Sequence, residues 1–216
     1  MKMDAGGLEI RKLEAFGVFD GLRILEIGCG DGRVTATLAG RAGVLAAVDP
    51  GEDALRQAAD RIDGAVFVAA SGEQLPFPDR SFDTLLFTLS LHHQDSRLAL
   101  QEAGRVVRPD GRILVMEPAV DGEVQLLFHC FRDETPELEA AQAAIAASGL
   151  SVVEAMQFET DWEFPDKYAF SRYLFAYHDQ VRNPAMETRL FRQIGEKVAA
   201  CPLVLKDRLK LTALTL

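Results

Sequence analysis

Glu26, Gly28, Gly30 and Gly32 stand at two-residue intervals directly after the apolar run Ile24-Leu25. A carboxylate that closes a buried strand, followed by alternating glycines, lets backbone N–H groups approach a small ligand with an acidic group held beneath it. Cys29, inside that loop, reads as a small packing residue rather than a redox centre. The spacing separates two ligand classes. A pyrophosphate-bearing dinucleotide calls for G-x-G-x-x-G, whereas the pattern here is E-x-G-x-G-x-G, with Arg33 where the third glycine would stand. About 20 residues downstream, the apolar run Val44 to Val48 ends in Asp49-Pro50. An acid there can accept both hydroxyls of a ribose, each such bond contributing about 1.5–3 kcal/mol. The competing role for Asp49 is to cap the helix that opens at Glu52-Asp53-Ala54-Leu55. His92 and His93 follow a third apolar run. A histidine there could take a proton from a hydroxyl or an acidic carbon; the alternative is a cap or a bond to a loop carbonyl. The three cysteines are not spaced to hold zinc, and no metal is expected.

Positioning these groups requires alternating strands and helices. Strands are expected near 22–27, 44–49, 65–69, 83–88 and 111–117, and helices near 31–40, 52–62 and 95–107. The strands are almost continuous apolar runs, as when helices cover both faces of a sheet. Leu8 to Phe19 reads as a helix before the first of these strands. The expected fold is α/β, a doubly wound, mostly parallel, seven-stranded sheet. Further on, Glu134 to Ser148 reads as a helix, Ser151 to Phe158 as a strand, Asp166 to Gln180 and Pro184 to Ala200 as two helices, and Leu209 to Leu216 as the final strand.

Composition narrows the function. The 216 residues suit one α/β domain, 1–216, with a small elaboration, and 48% hydrophobic residues suffice for a full core. No apolar run approaches a membrane span, the N-terminus lacks an apolar signal region, and Cys29, Cys130 and Cys201 are spread as free thiols would be in a reducing cytoplasm. Net charge is −10, with basic residues scattered among acids, which argues against nucleic acid as a partner.

The chain resembles the class I S-adenosylmethionine-dependent methyltransferases, and is most similar to the ubiquinone/menaquinone-biosynthesis branch that methylates small molecules. The resemblance rests on Ile24–Gly32, Ala47–Pro50, Gly72-Glu73-Gln74-Leu75-Pro76-Phe77, Ser81-Phe82-Asp83 through Leu91-His92-His93, and Arg105 through Arg112, in the family's order, over roughly residues 22–118. It implies S-adenosylmethionine as cofactor. Gly28, Cys29, Gly30 and Gly32 would approach its methionine portion, Glu26 would organise that loop or, through water, the ammonium, and Asp49 with Pro50 would face the ribose. Ser71, Gly72 and Glu73 would pass beside the adenine, and Phe87 and Thr88 would border the methyl-transfer site. Much of the family carries an Asp where Ser71 stands, so the adenine contact here is expected to be weaker.

Methyl transfer from a sulfonium needs mainly alignment and exclusion of water. No fixed triad is expected, with His92 and His93 as the candidate catalytic residues. In the resembled family the last two strands form a tight hairpin; here about 45 residues intervene, and residues 160–205 read as a helical insert or lid. Phe158, Trp162, Phe164, Tyr168, Phe170, Tyr173, Phe175 and Tyr177 concentrate aromatic side chains there. They are expected either to bind the acceptor, with Trp162, Tyr168 and Tyr173 foremost, or to form the insert's own core. The leading expectation is methyl transfer to a small-molecule acceptor by a monomer or homodimer. The alternative is a catalytically silent cofactor-binding or partner subunit of the same fold.

Overall fold

A computed structural model describes residues 1–216. In chain order the first half comprises β1 (Lys2–Met3), α1 (Leu8–Phe16), β2 (Arg23–Ile27), α2 (Thr35–Leu38), β3 (Val44–Asp49), α3 (Glu52–Ala59), β4 (Val66–Ala69), β5 (Phe82–Thr88), α4 (Ser96–Val106) and β6 (Val107–Pro118). The second comprises α5 (Glu123–Phe128), α6 (Thr135–Ala147), β7 (Ser151–Phe164), α7 (Lys167–Tyr177), α8 (Pro184–Ile194) and β8 (Leu203–Thr215). The strands make one sheet in the order β1-β7-β8-β6-β5-β2-β3-β4.

The sheet is therefore eight-stranded, and the expectation of seven is corrected. The additional strand is the N-terminal dipeptide, whose Lys2 and Met3 pair antiparallel with Glu163 and Trp162. It exists because β7 runs six residues past Phe158 and leaves an edge to be covered. The connection between β7 and β8 is accordingly residues 165–202, shorter than expected. Several helices are shorter than expected: α1 ends at Phe16, α3 at Ala59 and α7 at Tyr177. The expected helix 31–40 keeps only Thr35–Leu38, because Gly32 at φ +85° forces a turn first. The last helix stops at Ile194, where Gly195 turns left-handed at φ +67°. Where caps are strong the boundaries match. Asp95 accepts from Leu98 N at 3.0 Å, Asp166 from Ala169 N at 2.7 Å, and Asn183 from Ala185 N at 2.9 Å ahead of Pro184.

The chain divides into two compact units. The larger comprises Ile10–Glu117, Glu137–Met156 and Lys210–Leu216. In it β2 pairs parallel with β3 and β5, so that Glu26 lies opposite Ala47 and Leu86, and Thr88 of β5 lies opposite Met116 of β6. This register brings Glu26, Asp49, Thr88 and Glu117 to the C-terminal ends of four adjacent strands, the edge where open α/β sheets bind ligands. Its core is mostly aliphatic, with Leu25, Ile27, Val48, Leu85 and Val115 buried at the sheet beside Phe87. The smaller unit comprises Met1–Glu9, Pro118–Pro136 and Gln157–Leu209. It contains the expected insert 160–205 together with the N-terminal segment and α5. Its core is aromatic, built on Phe128, Trp162, Phe164 and Phe170 with Leu174, Leu190 and Leu205.

Candidate active site

The loop after β2 takes left-handed backbone at all three glycines, with φ +75° at Gly28, +53° at Gly30 and +85° at Gly32. Gly28 is needed for a second reason: a Cβ there would lie 2.4 Å from Ser90 Cβ. The loop is tied to β3 by Gly28 N and Cys29 N, which donate to Val48 O at 2.8 and 3.0 Å. Asp49 completes the tie. Its Oδ2 accepts from Gly30 N and its Oδ1 from Gly51 N, both at 2.8 Å. The Asp49 carboxylate thus organises the glycine loop and the turn ahead of α3 together, while the cap of α3 is Gly51, not Asp49. Each oxygen keeps a second lone pair, and the side chain is only partly buried.

Glu26 is 1% exposed. It accepts from Thr35 Oγ1 at 2.6 Å and from Thr88 Oγ1 at 2.9 Å. Burial pushes its pKa up to about 7, although both hydroxyls and Arg33 pull it down. The same interior, with Glu26 and Asp49 nearby, pushes the Cys29 thiol up to about 12. Cys29 is therefore a protonated, unreactive loop residue at neutral pH.

The chain leaves β5 through Leu89 in left-handed backbone, φ +60°, and enters a single tight turn, Leu91–His93. Ser90 in this turn donates to Ile27 O at 2.6 Å and packs against Gly28. Buried His92 directs Nδ1 at Glu117 Oε2, while Glu117 Oε1 accepts from Leu91 N at 2.8 Å. The exposed His93 ring lies 3.8 Å, centroid to centroid, from that of His92. Beside it, Gln94 packs against Gly72, where a Cβ would approach Gln94 Oε1 to 2.3 Å. Ser71 Oγ accepts from Glu73 N at 3.2 Å, and Glu73 Oε1 accepts from Asp95 N at 2.6 Å. Arg105 anchors the same segment by donating to Phe77 O at 2.7 Å and Leu75 O at 3.0 Å.

The C-terminal edge of the larger unit thus gathers Glu26, Gly28, Cys29, Gly30, Asp49, Ser71, Thr88 and His92. Phe87 does not belong with them: its side chain is fully buried in the aliphatic core and supports the sheet from beneath. Pro50 is exposed, and Glu73 is committed to the turn ahead of α4. In the smaller unit, Trp162 is 6% exposed and meets Phe128 and Tyr173 edge-on, so it is a core residue. Tyr173 is half-buried beside Trp162 and Phe164, whereas Tyr168 is 46% exposed over Phe191. Sequence reasoning missed Glu117, Ser90, Gln94 and Thr35. Glu117 had a signal: like Glu26 and Asp49, it is an acid closing an apolar strand, after Ile113 to Met116.

These ties reproduce the motif blocks in three dimensions. Residues 25–115 match a family model described as a methyltransferase domain. Over 118 residues the chain is 36% identical to the ubiquinone/menaquinone biosynthesis C-methyltransferase UbiE of Ectopseudomonas mendocina (strain ymp), a match covering 49% of this chain and 45% of that protein. It is 37% identical over 101 residues to the 27-O-demethylrifamycin SV methyltransferase of Amycolatopsis mediterranei (strain S699), covering 43% of this chain and 37% of the other. The match thus spans less than half the length of either relative. In structure it superposes on a SAM-dependent methyltransferase from Aquifex aeolicus with TM-score 0.62 at 15% identity, over 99% of this chain and 94% of that one. The Rossmann-like methyltransferase fold is therefore shared along nearly the whole chain.

The residues gathered at this edge fit S-adenosylmethionine. A Cβ on Gly30 would meet nothing within 4 Å, so the loop offers an open floor. The Asp49 carboxylate is an acceptor of the kind with which ribose hydroxyls pair. No helix is long and apolar enough to cross a membrane.

Proposed function

We propose that this protein is an S-adenosylmethionine-dependent methyltransferase acting on a small molecule, and that its catalysis is mainly alignment. The observation that carries this reading is Asp49, whose carboxylate ties the glycine loop to β3 and keeps lone pairs for a ribose. Bound there, the cofactor would supply an activated methyl group. Gly28, Gly30 and Gly32 hold the loop open to the methionine portion. Glu26 braces it through Thr35 and Thr88. Ser71 and Gly72 border the adenine, where Ser71, engaged with Glu73 N, leaves recognition mostly to backbone and apolar surface. His92 and His93 stand where an acceptor's proton would leave.

Segment 160–205 acts in acceptor choice through Tyr168 and Tyr173, with Trp162 packed against Tyr173 from the core. Both curated relatives are named as methyltransferases, so the silent-subunit alternative is not favoured. Free thiols at Cys29, Cys130 and Cys201 support a cytoplasmic setting, where the protein would work as a monomer or homodimer. Calorimetry with S-adenosylhomocysteine tests the reading. Asp49→Ala should weaken binding at least tenfold, about 1.4 kcal/mol; no binding by the unsubstituted protein, or tighter binding of NAD, would defeat it.

A further inference from the structure

We infer that the outer edge of β7, from Ser151 to Ala155, is a docking surface for a second copy of this chain, the two strands pairing antiparallel about a two-fold axis so that two eight-stranded sheets join into one. The inference stands apart from the methyl-transfer reading and needs no ligand.

The edge is uncovered. β7 spans Ser151–Phe164, and β1 pairs only with its Glu163 and Trp162. No other strand lies on that side. Beyond β1, Asp4 N donates to Asp161 O at 3.0 Å, which shows which backbone groups face outward. They alternate along an antiparallel strand, so Ser151, Val153 and Ala155, like Asp161, direct N–H and C=O away from β8. Every residue from Ser151 to Ala155 is exposed. Val152 and Val153 lie on opposite faces of the strand and are 54% and 50% exposed. Further along, Phe158 and Thr160 are buried, so only the start of β7 is open on both faces.

Sheet edges are ordinarily blunted by shortness, lysine, proline or a bulge. β4, at the other end of this sheet, is short, Val66–Ala69. The stretch from Ser151 to Ala155 has no lysine, proline or glycine, and its one charge is Glu154. Such an edge is a template for another strand, and an identical strand fits it. A two-fold axis normal to the sheet brings the outward groups of both copies together. Centred on Val153, it sets Val153 against its own copy and Ser151 against Ala155, each pair exchanging two N–H···O bonds. The side chains agree with this register. Val153 meets Val153 on one face, and on the other each Glu154 lies opposite a Val152. Centring on Glu154 would set two carboxylates face to face, which disfavours it. Each copy carries a net charge of −10, so approach is opposed by a repulsion that salt screens. The ladder is also much smaller than a standard interface. The dimer therefore depends on concentration and strengthens with salt.

Sedimentation equilibrium of the full chain tests this. Between about 1 µM and about 500 µM in about 0.5 M NaCl, the weight-average mass should rise from one chain towards two, with weaker association in about 0.05 M NaCl. Val153→Pro removes an outward N–H that the chain's own sheet does not use, a change that edge strands accept. Its far-UV circular dichroism should be unchanged, and its dissociation constant should rise at least about tenfold, since the ring blocks the central pair. Val153→Lys keeps the N–H but sets like charges opposite each other at the two-fold axis, and should also weaken association; it carries the test if the proline variant does not fold. A chain that stays monomeric to about 500 µM, or a dimer whose dissociation constant is unchanged in either folded variant, would overturn the inference.

Discussion

The ligand edge of the larger unit and the aromatic core of the smaller unit use buried side chains in opposite ways. At the sheet edge the interior is polar: Glu26 and Glu117 are both 1% exposed, and their carboxylates bond to hydroxyls, a backbone N–H and a histidine. In the smaller unit the aromatic rings mostly contact one another, Phe128 on Trp162, Trp162 on Tyr173, Phe164 on Phe170. Buried carboxylates destabilise a fold unless they are paired, and the chemistry proposed for this edge is what such a concentration would serve. Buried aromatics stabilise a fold, so their concentration marks where it is held together. Aromatic density alone was therefore a poor guide to an acceptor wall.

The contrast is sharpest in the smaller unit. Trp162→Ala should cost about 3–5 kcal/mol, as large-to-small changes in a packed core do, and chemical denaturation should read it directly. Tyr168→Ala, at a 46% exposed position, should leave the denaturation midpoint nearly unmoved while changing the relative rates on different acceptors. If Trp162→Ala were harmless to stability yet abolished acceptor use, the two regions would not divide their labour this way.

The polar edge should reveal itself in pH. The Glu26 carboxyl ordinarily titrates near 4.5 and is pushed up to about 7 in the fold. Between those values the folded chain holds a proton that the unfolded chain has released. Glu26 therefore makes stability fall as pH rises from about 4.5 to about 7, by up to about 3 kcal/mol in total. In Glu26→Gln this component should vanish. Urea midpoints of the two proteins should converge near pH 4.5, and the variant should become the more stable one above pH 7. A difference independent of pH would show that Glu26 is already ionised in the fold, and that the edge is wetter than its burial suggests.

The smallest effect is expected at Ser71. Its hydroxyl is engaged with Glu73 N at 3.2 Å, so Ser71→Ala should alter S-adenosylhomocysteine affinity by less than about tenfold, or about 1.4 kcal/mol. A larger loss by calorimetry would make that hydroxyl a principal adenine contact.

Much of this protein was determined by its sequence alone. Local rules set β2, β3, β5 and α4, because apolar runs, acids at strand ends and side-chain caps such as Asp95 act over a few residues. The glycine spacing likewise specified a loop for a ligand without a pyrophosphate, since positive φ at alternate positions is a property of the local backbone. Tertiary structure decided the rest. The pairing of Lys2 and Met3 with β7 depends on an edge exposed some 160 residues away, which no local pattern encodes. Whether Trp162 packs or binds depends on what faces it, and Phe128 does. The partner of His92 is Glu117, 25 residues on, and only the parallel register of β5 with β6 carries it there, because hydrogen bonding between strands, not sequence proximity, sets which strand ends meet.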